Sequence, residues 1–189
     1  MMKKIISALV ALILVVCISC AAFAEAAETE LPELGYNKES DFDFEKGNFF
    51  GVTCDGSVRA KIYLTNDFLY DEATQLPGTA LWMRDTGIEN TGDDAESETF
   101  WQNVICTLET AETLGATTLE EIVLDEGYEG EIVTVNGVKA LLFNSSDKYV
   151  MGGIYELDEG FLLIIISGVV NEDLESEAVI TLCSLTTEE

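Results

Sequence analysis

The chain has 189 residues, with 36 acidic and 9 basic side chains, no histidine and a formal net charge of −27. Proteins that bind nucleic acid through its phosphates need clustered lysine and arginine. The basic residues here are scattered, which excludes nucleic acid as a partner. The absence of histidine removes the commonest general base near neutral pH and a common zinc ligand.

Residues 1–24 have the pattern of a bacterial export signal. Lys3 and Lys4 precede a long apolar run, which ends in Ala-Phe-Ala at residues 22–24. We predict cleavage after Ala24 and a mature chain that is secreted or held at the cell surface. Two alternatives stay open: a retained membrane anchor, because the apolar run approaches the roughly 20 residues that span a bilayer, and lipidation of Cys20.

The rest of the chain suits one domain. Residues 25–48 are acidic and show little periodicity, so we interpret them as an N-terminal tether, and residues 49–189 as a single α+β domain. Three cysteines remain after the signal, Cys54, Cys106 and Cys183. An odd number without close spacing predicts no disulfide framework, and it leaves the thiol state of each open.

In the first half of the domain, alternation of apolar and polar residues predicts strands at 58–64 and 79–84. Residues 66–75 fit either a short helix or a loop. Residues 87–97 contain Gly-Asp-Asp-Ala-Glu and are predicted to form an exposed acidic loop.

Residues 98–114 place Phe100, Val104, Leu108 and Ala111 at steps of four and three, which favours one face of a helix. Their threonines weaken that prediction, because branching at Cβ lowers helix propensity. Thr118-Leu119-Glu120-Glu121 has the pattern of a capping box and predicts a short helix to about Glu126.

Beyond Gly130 the sequence predicts an antiparallel meander of strands at 132–135, 138–143, 149–157 and 161–167. Asn136-Gly137 favours a type I′ hairpin, because both residues accept positive φ. The strand at 161–167 starts with six apolar residues, which predicts that both of its faces are covered and that it lies in the centre of the sheet.

Asn171 is predicted to cap a final helix, because acidic residues follow it at the positive end of the helix dipole. Leu174, Ala178, Leu182 and Leu185 lie at steps of four and three and form the face expected to pack on the sheet.

The order of these elements resembles the Mog1/PsbP-like α/β sandwich. The resemblance covers roughly residues 49–185. It is carried by the Thr-Leu-Glu-Glu segment at 118–121, by Val-Asn-Gly-Val-Lys-Ala at 135–140, by the apolar central strand and by the closing helix through 180–185. It implies an α+β fold, an antiparallel meander with helices packed on both faces, and a role in binding or assembly instead of an activity.

Two groups of carboxylates are candidate calcium ligands, because calcium prefers oxygen donors. They are Asp41, Asp43 and Glu45, and Asp85, Glu89, Asp93 and Asp94. The first group does not follow the spacing of an EF-hand loop, because Gly47 is at the seventh position and Val52 at the twelfth. Paired carboxylates can also cleave glycosides, although 36 acidic residues produce pairs by chance.

The sequence therefore favours a non-catalytic binding domain outside the cytoplasmic membrane, with no cofactor and no membrane insertion of the mature chain unless Cys20 is lipidated. Its acidity favours a basic protein or small ligand as partner, with the loop at 87–97 as a contact. The alternatives are a calcium-stabilised surface module and a carboxylate-dependent hydrolase.

Overall fold

The structure is a computed structural model, and it describes residues 31–36, 39–53, 58–71, 78–91 and 98–187. The predicted signal, Ala24, Cys20, Cys54, Asp93 and Asp94 lie outside these residues. The described strands are β1 (Gly47–Thr53), β2 (Val58–Thr65), β3 (Leu69–Tyr70), β4 (Thr79–Glu89), β5 (Thr99–Glu109), β6 (Tyr128–Val135), β7 (Val138–Ser145), β8 (Val150–Leu157), β9 (Gly160–Ser167) and β10 (Thr186–Thr187). The helices are α1 (Ala111–Leu114) and α2 (Glu172–Cys183).

The strands form two antiparallel sheets. A small sheet has the order β1-β2-β10, and a large sheet has the order β3-β4-β5-β9-β8-β7-β6. The meander predicted from the sequence is confirmed as β6 to β9, with Asn136 and Gly137 at φ values of 50° and 82° in the hairpin turn. β9 is the fourth of seven strands, so its predicted central position is also confirmed.

β9 is buried on both faces. Leu162, Ile164 and Ile166 point to one face of the large sheet, which we call the first face, and each is at most 1% exposed. Phe161, Leu163 and Ile165 point to the second face and are 4 to 7% exposed. A strand with two apolar faces is stable only when a layer covers each of them.

The first face is covered by α2 and by the small sheet. Asn171 Oδ1 accepts a hydrogen bond of 2.9 Å from Leu174 N, which confirms the predicted cap. Leu174, Ala178, Leu182 and Leu185 are buried as predicted, and they share one core with Val52, Ala60, Ile62 and Leu64 of the small sheet. Leu185 lies just beyond the last helical residue.

Tyr155 fixes the carboxyl end of α2 to β8. Its hydroxyl is buried and donates a hydrogen bond of 2.7 Å to Leu182 O. Its ring lies where a Cβ on Gly153 would come within 2.7 Å, so a side chain at Gly153 would displace it. Burial raises the pKa of the neighbouring Cys183 to about 11, so this thiol stays protonated at neutral pH.

The second face is covered mainly by an irregular segment, residues 110–127. Leu114 of α1 and Leu119 of a 3-10 turn at Leu119–Glu121 pack on Phe161, Leu163 and Ile165. The prediction of helices on both faces is therefore met only in part. The fold is mostly antiparallel sheet, with a long helix on the first face and one turn of helix on the second.

The helix predicted for residues 98–114 is wrong, because most of this segment is β5. Phe100, Val104 and Leu108 are separated by steps of four, and a step of four keeps residues on one face of a strand as well as of a helix. The β-branched residues then favour the strand. Only Ala111–Leu114 is helical, and Thr110 caps it by accepting from Thr113 N.

The capping box predicted at Thr118 is also wrong. The Thr118 side chain caps nothing, and the 3-10 turn ends at Glu121, well before Glu126. Glu121 instead accepts hydrogen bonds from Thr117, at 2.7 Å from its backbone nitrogen and 2.8 Å from its hydroxyl. The backbone bond is the main cause that lowers the pKa of Glu121.

Residues 31–36 and 39–45, from the segment that we interpreted as a tether, hydrogen-bond and pack against the two sheets. Leu34 N donates to Thr134 O at 2.9 Å, and Thr134 N donates to Pro32 O at 2.8 Å, so residues 32–34 add a short parallel bridge to β6. Further along, Phe42 packs on Tyr63 of β2, with ring centroids 5.0 Å apart. In the part of the chain that the structure describes, neither helix is long and apolar enough to cross a membrane.

Candidate functional site

The large sheet extends beyond the layer that covers its first face. On the side of β6, the uncovered part forms an open groove of about 540 Å³ between α2 and strands β6 to β8. Its floor is apolar and half-buried, and one wall is the side of α2. Its lining includes Leu142 and Met151 on the floor, Val179 and Leu182 of α2, Leu34, and Glu129 and Glu131 of β6.

Strand register shows how the groove is built. Glu129, Asn144 and Met151 are cross-strand neighbours in one row of the first face, and Glu131, Leu142 and Gly153 form the next row. Both rows continue into β9, where α2 covers them. The groove is therefore the uncovered end of the same apolar surface that forms the core.

Two carboxylates stand on the outer wall of the groove. Glu129 and Glu131 are two residues apart on β6, so both side chains point to the first face, and both are exposed. Their Cα atoms are about 7 Å apart in an extended strand. At that distance two negative charges repel by roughly 0.6 kcal/mol in bulk water. A cation placed between them would relieve this repulsion.

Neither carboxylate has a basic neighbour among the described residues. Lys139 pairs with Glu120 at 2.6 Å, and Lys148 pairs with Glu175 at 2.6 Å. Lys139 lies on the second face of the sheet, opposite the groove, and Lys148 lies in the turn between β7 and β8, so the charges of both are directed to other carboxylates. The negative charge of Glu129 and Glu131 therefore remains available to a ligand.

The backbone of β6 also has an open edge beside the groove. In an antiparallel pair, residues alternate between those that bond the partner strand and those whose N–H and C=O point away. Thr134 points away from β7, because it bonds to residues 32 and 34. Ile132 and Gly130, two and four residues earlier, must then point the same way, and no described residue hydrogen-bonds to these outward groups.

A second polar cluster surrounds Arg84, which is 5% exposed. Its guanidinium donates to Gln102 Oε1 at 2.8 Å, to Thr65 Oγ1 at 2.8 Å and to Asp67 Oδ2 at 3.0 Å, and it pairs with Glu177. The adjacent cavity has about 30 Å³, the space of a single water. This cluster joins the turn after β2, the large sheet and α2, so we assign it a structural role.

We expect the Arg84 cluster to lose part of its stabilising effect in acid. Partial burial raises the pKa of Asp67, but the bond from Thr65 and the charge of Arg84 outweigh this and hold it below its ordinary value of about 4. The stabilisation is present above that value and is lost as pH falls through the lowered pKa. The free-energy difference between the wild type and Asp67→Asn, measured by urea unfolding, should be largest above pH 5 and shrink below pH 3. A difference that is constant from pH 7 to 2 would contradict this.

Of the carboxylates that we proposed for calcium, Asp93 and Asp94 lie outside the described residues, so the structure does not test that group. Asp43 pairs with Lys46 at 3.3 Å, and its Oδ1 accepts from Glu45 N. Asp85 accepts from Gly87 N at 2.8 Å, which lowers its pKa. Within the described ranges, no group of three or more His, Cys, Asp or Glu side chains comes together. The calcium sites therefore stay predictions from the sequence.

The predicted acidic loop, residues 87–97, runs from the end of β4 toward β5 in the chain. Residues 87–89 are the end of β4, Asn90 N bonds Glu98 O at 2.9 Å, and residues 92–97 are outside the described chain. On the second face, Leu81, Met83 and Ile105 lie on the same side of the sheet as Trp101 and Leu69, which are 42% and 69% exposed, and these five residues form an apolar strip. Nothing in the structure indicates what covers this strip.

Sequence reasoning missed the groove. Glu129 and Glu131 were available as a signal, because they precede Val133 and Val135 at the same strand parity. A strand face that changes from acidic to apolar marks the place where a covering layer ends. Recognising it needed the start of β6 at Tyr128, four positions before the strand that the sequence predicted at 132–135.

No protein-family model matches the chain, and no curated protein matches it. Among solved structures, the chain is similar to the Ran-binding protein Mog1p of Saccharomyces cerevisiae, with 13% sequence identity and a TM-score of 0.42. The match covers 70% of this chain and 82% of that chain. The likeness is a weak one at the level of the fold, in agreement with the resemblance that the order of elements implied, and it carries nothing about function.

Proposed function

We propose that this chain is an exported, acidic, non-catalytic binding domain that holds a basic protein segment or small cationic ligand in the groove beside β6. The observation that carries the proposal is the groove itself, with its apolar floor and two carboxylates on one wall. Ligand sites are typically clefts of about 300–1,000 Å³ with apolar linings and few polar groups. A volume of about 540 Å³ falls within that range.

The charge of the chain supports a cationic ligand. Acidic side chains outnumber basic ones by 36 to 9, and Lys46, Arg84, Lys139 and Lys148 are each held by carboxylates of the same chain. The resulting negative field steers cations toward the surface and repels anions. Binding should therefore weaken as salt screens the field.

The arrangement of the groove carboxylates favours binding over hydrolysis. In a glycosidase, two carboxyl groups flank the bond that is cleaved, and different environments separate their pKa values. Glu129 and Glu131 stand side by side on one strand, and both are exposed. The sequence also has no histidine to act as a base. A hydrolase that acts through these carboxylates is therefore disfavoured.

Export is part of the proposal and is supported by the signal pattern of residues 1–24. Mass spectrometry of the protein recovered outside the cytoplasm should find Glu25 as its first residue. A diacylated Cys20 would show instead that the chain is a lipoprotein on the membrane surface. An intact Met1 in the membrane fraction would contradict cleavage and favour a retained anchor.

Neutralising the groove carboxylates should weaken binding of a cation. We expect Glu129→Gln/Glu131→Gln to lower the affinity for a fluorescent lysine hexapeptide, measured by anisotropy at low salt. Two exposed ion pairs of about 0.2–1 kcal/mol each correspond to about a 2- to 30-fold loss.

The matched control is Glu112→Gln/Glu159→Gln, which removes the same charge from exposed positions outside the groove. This variant should bind the peptide within twofold of the wild type. An equal loss in both double variants would show that the peptide senses the overall charge and would contradict a site in the groove.

A further inference from the structure

We propose that the occupant of the groove is an extended peptide with alternating basic and apolar residues, which pairs with the open edge of β6 and adds a strand to the large sheet. This inference rests on the proposed function and specifies the ligand of the same groove. It follows from three features of β6: the outward backbone groups that no described residue pairs, the alternation of its side chains and its charge.

The backbone edge accepts strands. Residues 32–34 already pair with β6 at Thr134, through hydrogen bonds of 2.8 and 2.9 Å. The outward groups of Gly130 and Ile132 continue that edge toward Tyr128. Within the described ranges this part of the edge is unpaired. Unpaired edges bind peptides by β-addition, in which main-chain bonds supply affinity and alternate side chains supply specificity. Tyr128 N already donates to Asp125 O at 3.1 Å, so Tyr128 marks the end of the open edge. The five residues from 128 to 132 span about 17 Å, which sets an upper length of about five residues for the peptide.

The side chains of β6 specify which residues the added strand should carry. Glu129 and Glu131 lie on the first face, so the peptide residues on that face meet two carboxylates. Lysine or arginine at these positions would form cross-strand pairs of opposite charge. Their alkyl stems would lie over Leu142 and Met151, the half-buried floor of the groove.

The intervening peptide residues should be apolar. They would lie on the second face, beside Ile132 and Gly130. A Cβ on Gly130 would come within 2.7 Å of Leu124 Cδ1. Glycine at this position therefore leaves room for the Leu124 side chain to pack against the second face at the edge of β6. An apolar residue of the peptide can cover Leu124 and Ile132 there.

A second copy of the chain fits the edge poorly. Pairing β6 with β6 of another copy would place Glu129 and Glu131 close to the same carboxylates of the partner, and like charges across a strand pair are unfavourable. Each copy also carries a net charge of −27. Charge complementarity therefore selects a basic peptide.

The test compares peptides of the same composition. The alternating peptide Lys-Val-Lys-Val-Lys and the block peptide Lys-Lys-Lys-Val-Val carry the same charge and the same side chains, and only the first matches β6. We expect the alternating peptide to bind the purified chain at least tenfold more tightly by anisotropy at low salt. Glu129→Gln/Glu131→Gln should reduce this difference to less than threefold.

Backbone pairing is tested by N-methylation, which removes amide donors without changing charge. One alternate set of peptide amides faces β6 and the other faces away. Two methylated peptides are compared, one with N-methyl groups on the lysine amides and one with them on the valine amides. One of the two should no longer bind, and the other should keep an affinity within twofold of that of the unmethylated peptide. Tolerance of both methylated peptides would overturn the added strand.

The outcomes separate this inference from the proposed function. Equal, salt-sensitive binding of the alternating and block peptides would overturn the strand and leave cation binding standing. No binding of either peptide at low salt would overturn both. A dimer in sedimentation without peptide, abolished by Gly130→Pro, would show that the edge pairs with a second copy and would also overturn the inference.

Discussion

The structure depends on covering the two apolar faces of β9. A strand whose residues 161–166 are all apolar cannot face water on either side, so the chain must supply a layer for each face. On the first face α2 and the small sheet supply it, and on the second face residues 110–127 do. The cap at Asn171, the bond from Tyr155 to Leu182 O and the Arg84 cluster all hold the first of these layers in place.

The groove arises because the covering layer and the sheet differ in width. The seven-stranded sheet is wider than the layer formed by α2 and the small sheet. The cross-strand rows of side chains on the first face are therefore covered at β9 and uncovered at β6. Where they emerge, the side chains on the first face of β6 change from valine to glutamate. This change keeps the edge soluble and discourages pairing with further copies of the chain. For the binding function that we propose, it favours a positively charged ligand.

Local signals in the sequence predicted the parts of the fold that depend on a few neighbouring residues. Asn136-Gly137, the Asn171 cap and the apolar run of β9 each have one good structural solution. The helix prediction for residues 98–114 was wrong because a step of four does not distinguish a strand from a helix. The capping-box prediction at Thr118 was wrong because the Glu121 carboxylate accepts its hydrogen bonds from Thr117. The groove could not be predicted in this way, since it depends on how far α2 extends across strands that are distant in sequence.

Amide hydrogen exchange of the free protein, resolved by residue, tests most directly whether the sheet extends beyond its cover. The account predicts the slowest exchange in β9, and fast exchange at Gly130 and Ile132, while Val133, which bonds β7, exchanges much more slowly than either. Protection of Gly130 and Ile132 that equals that of Val133 would show that the edge of β6 is already paired. It would contradict the account of an open groove built on an uncovered strand.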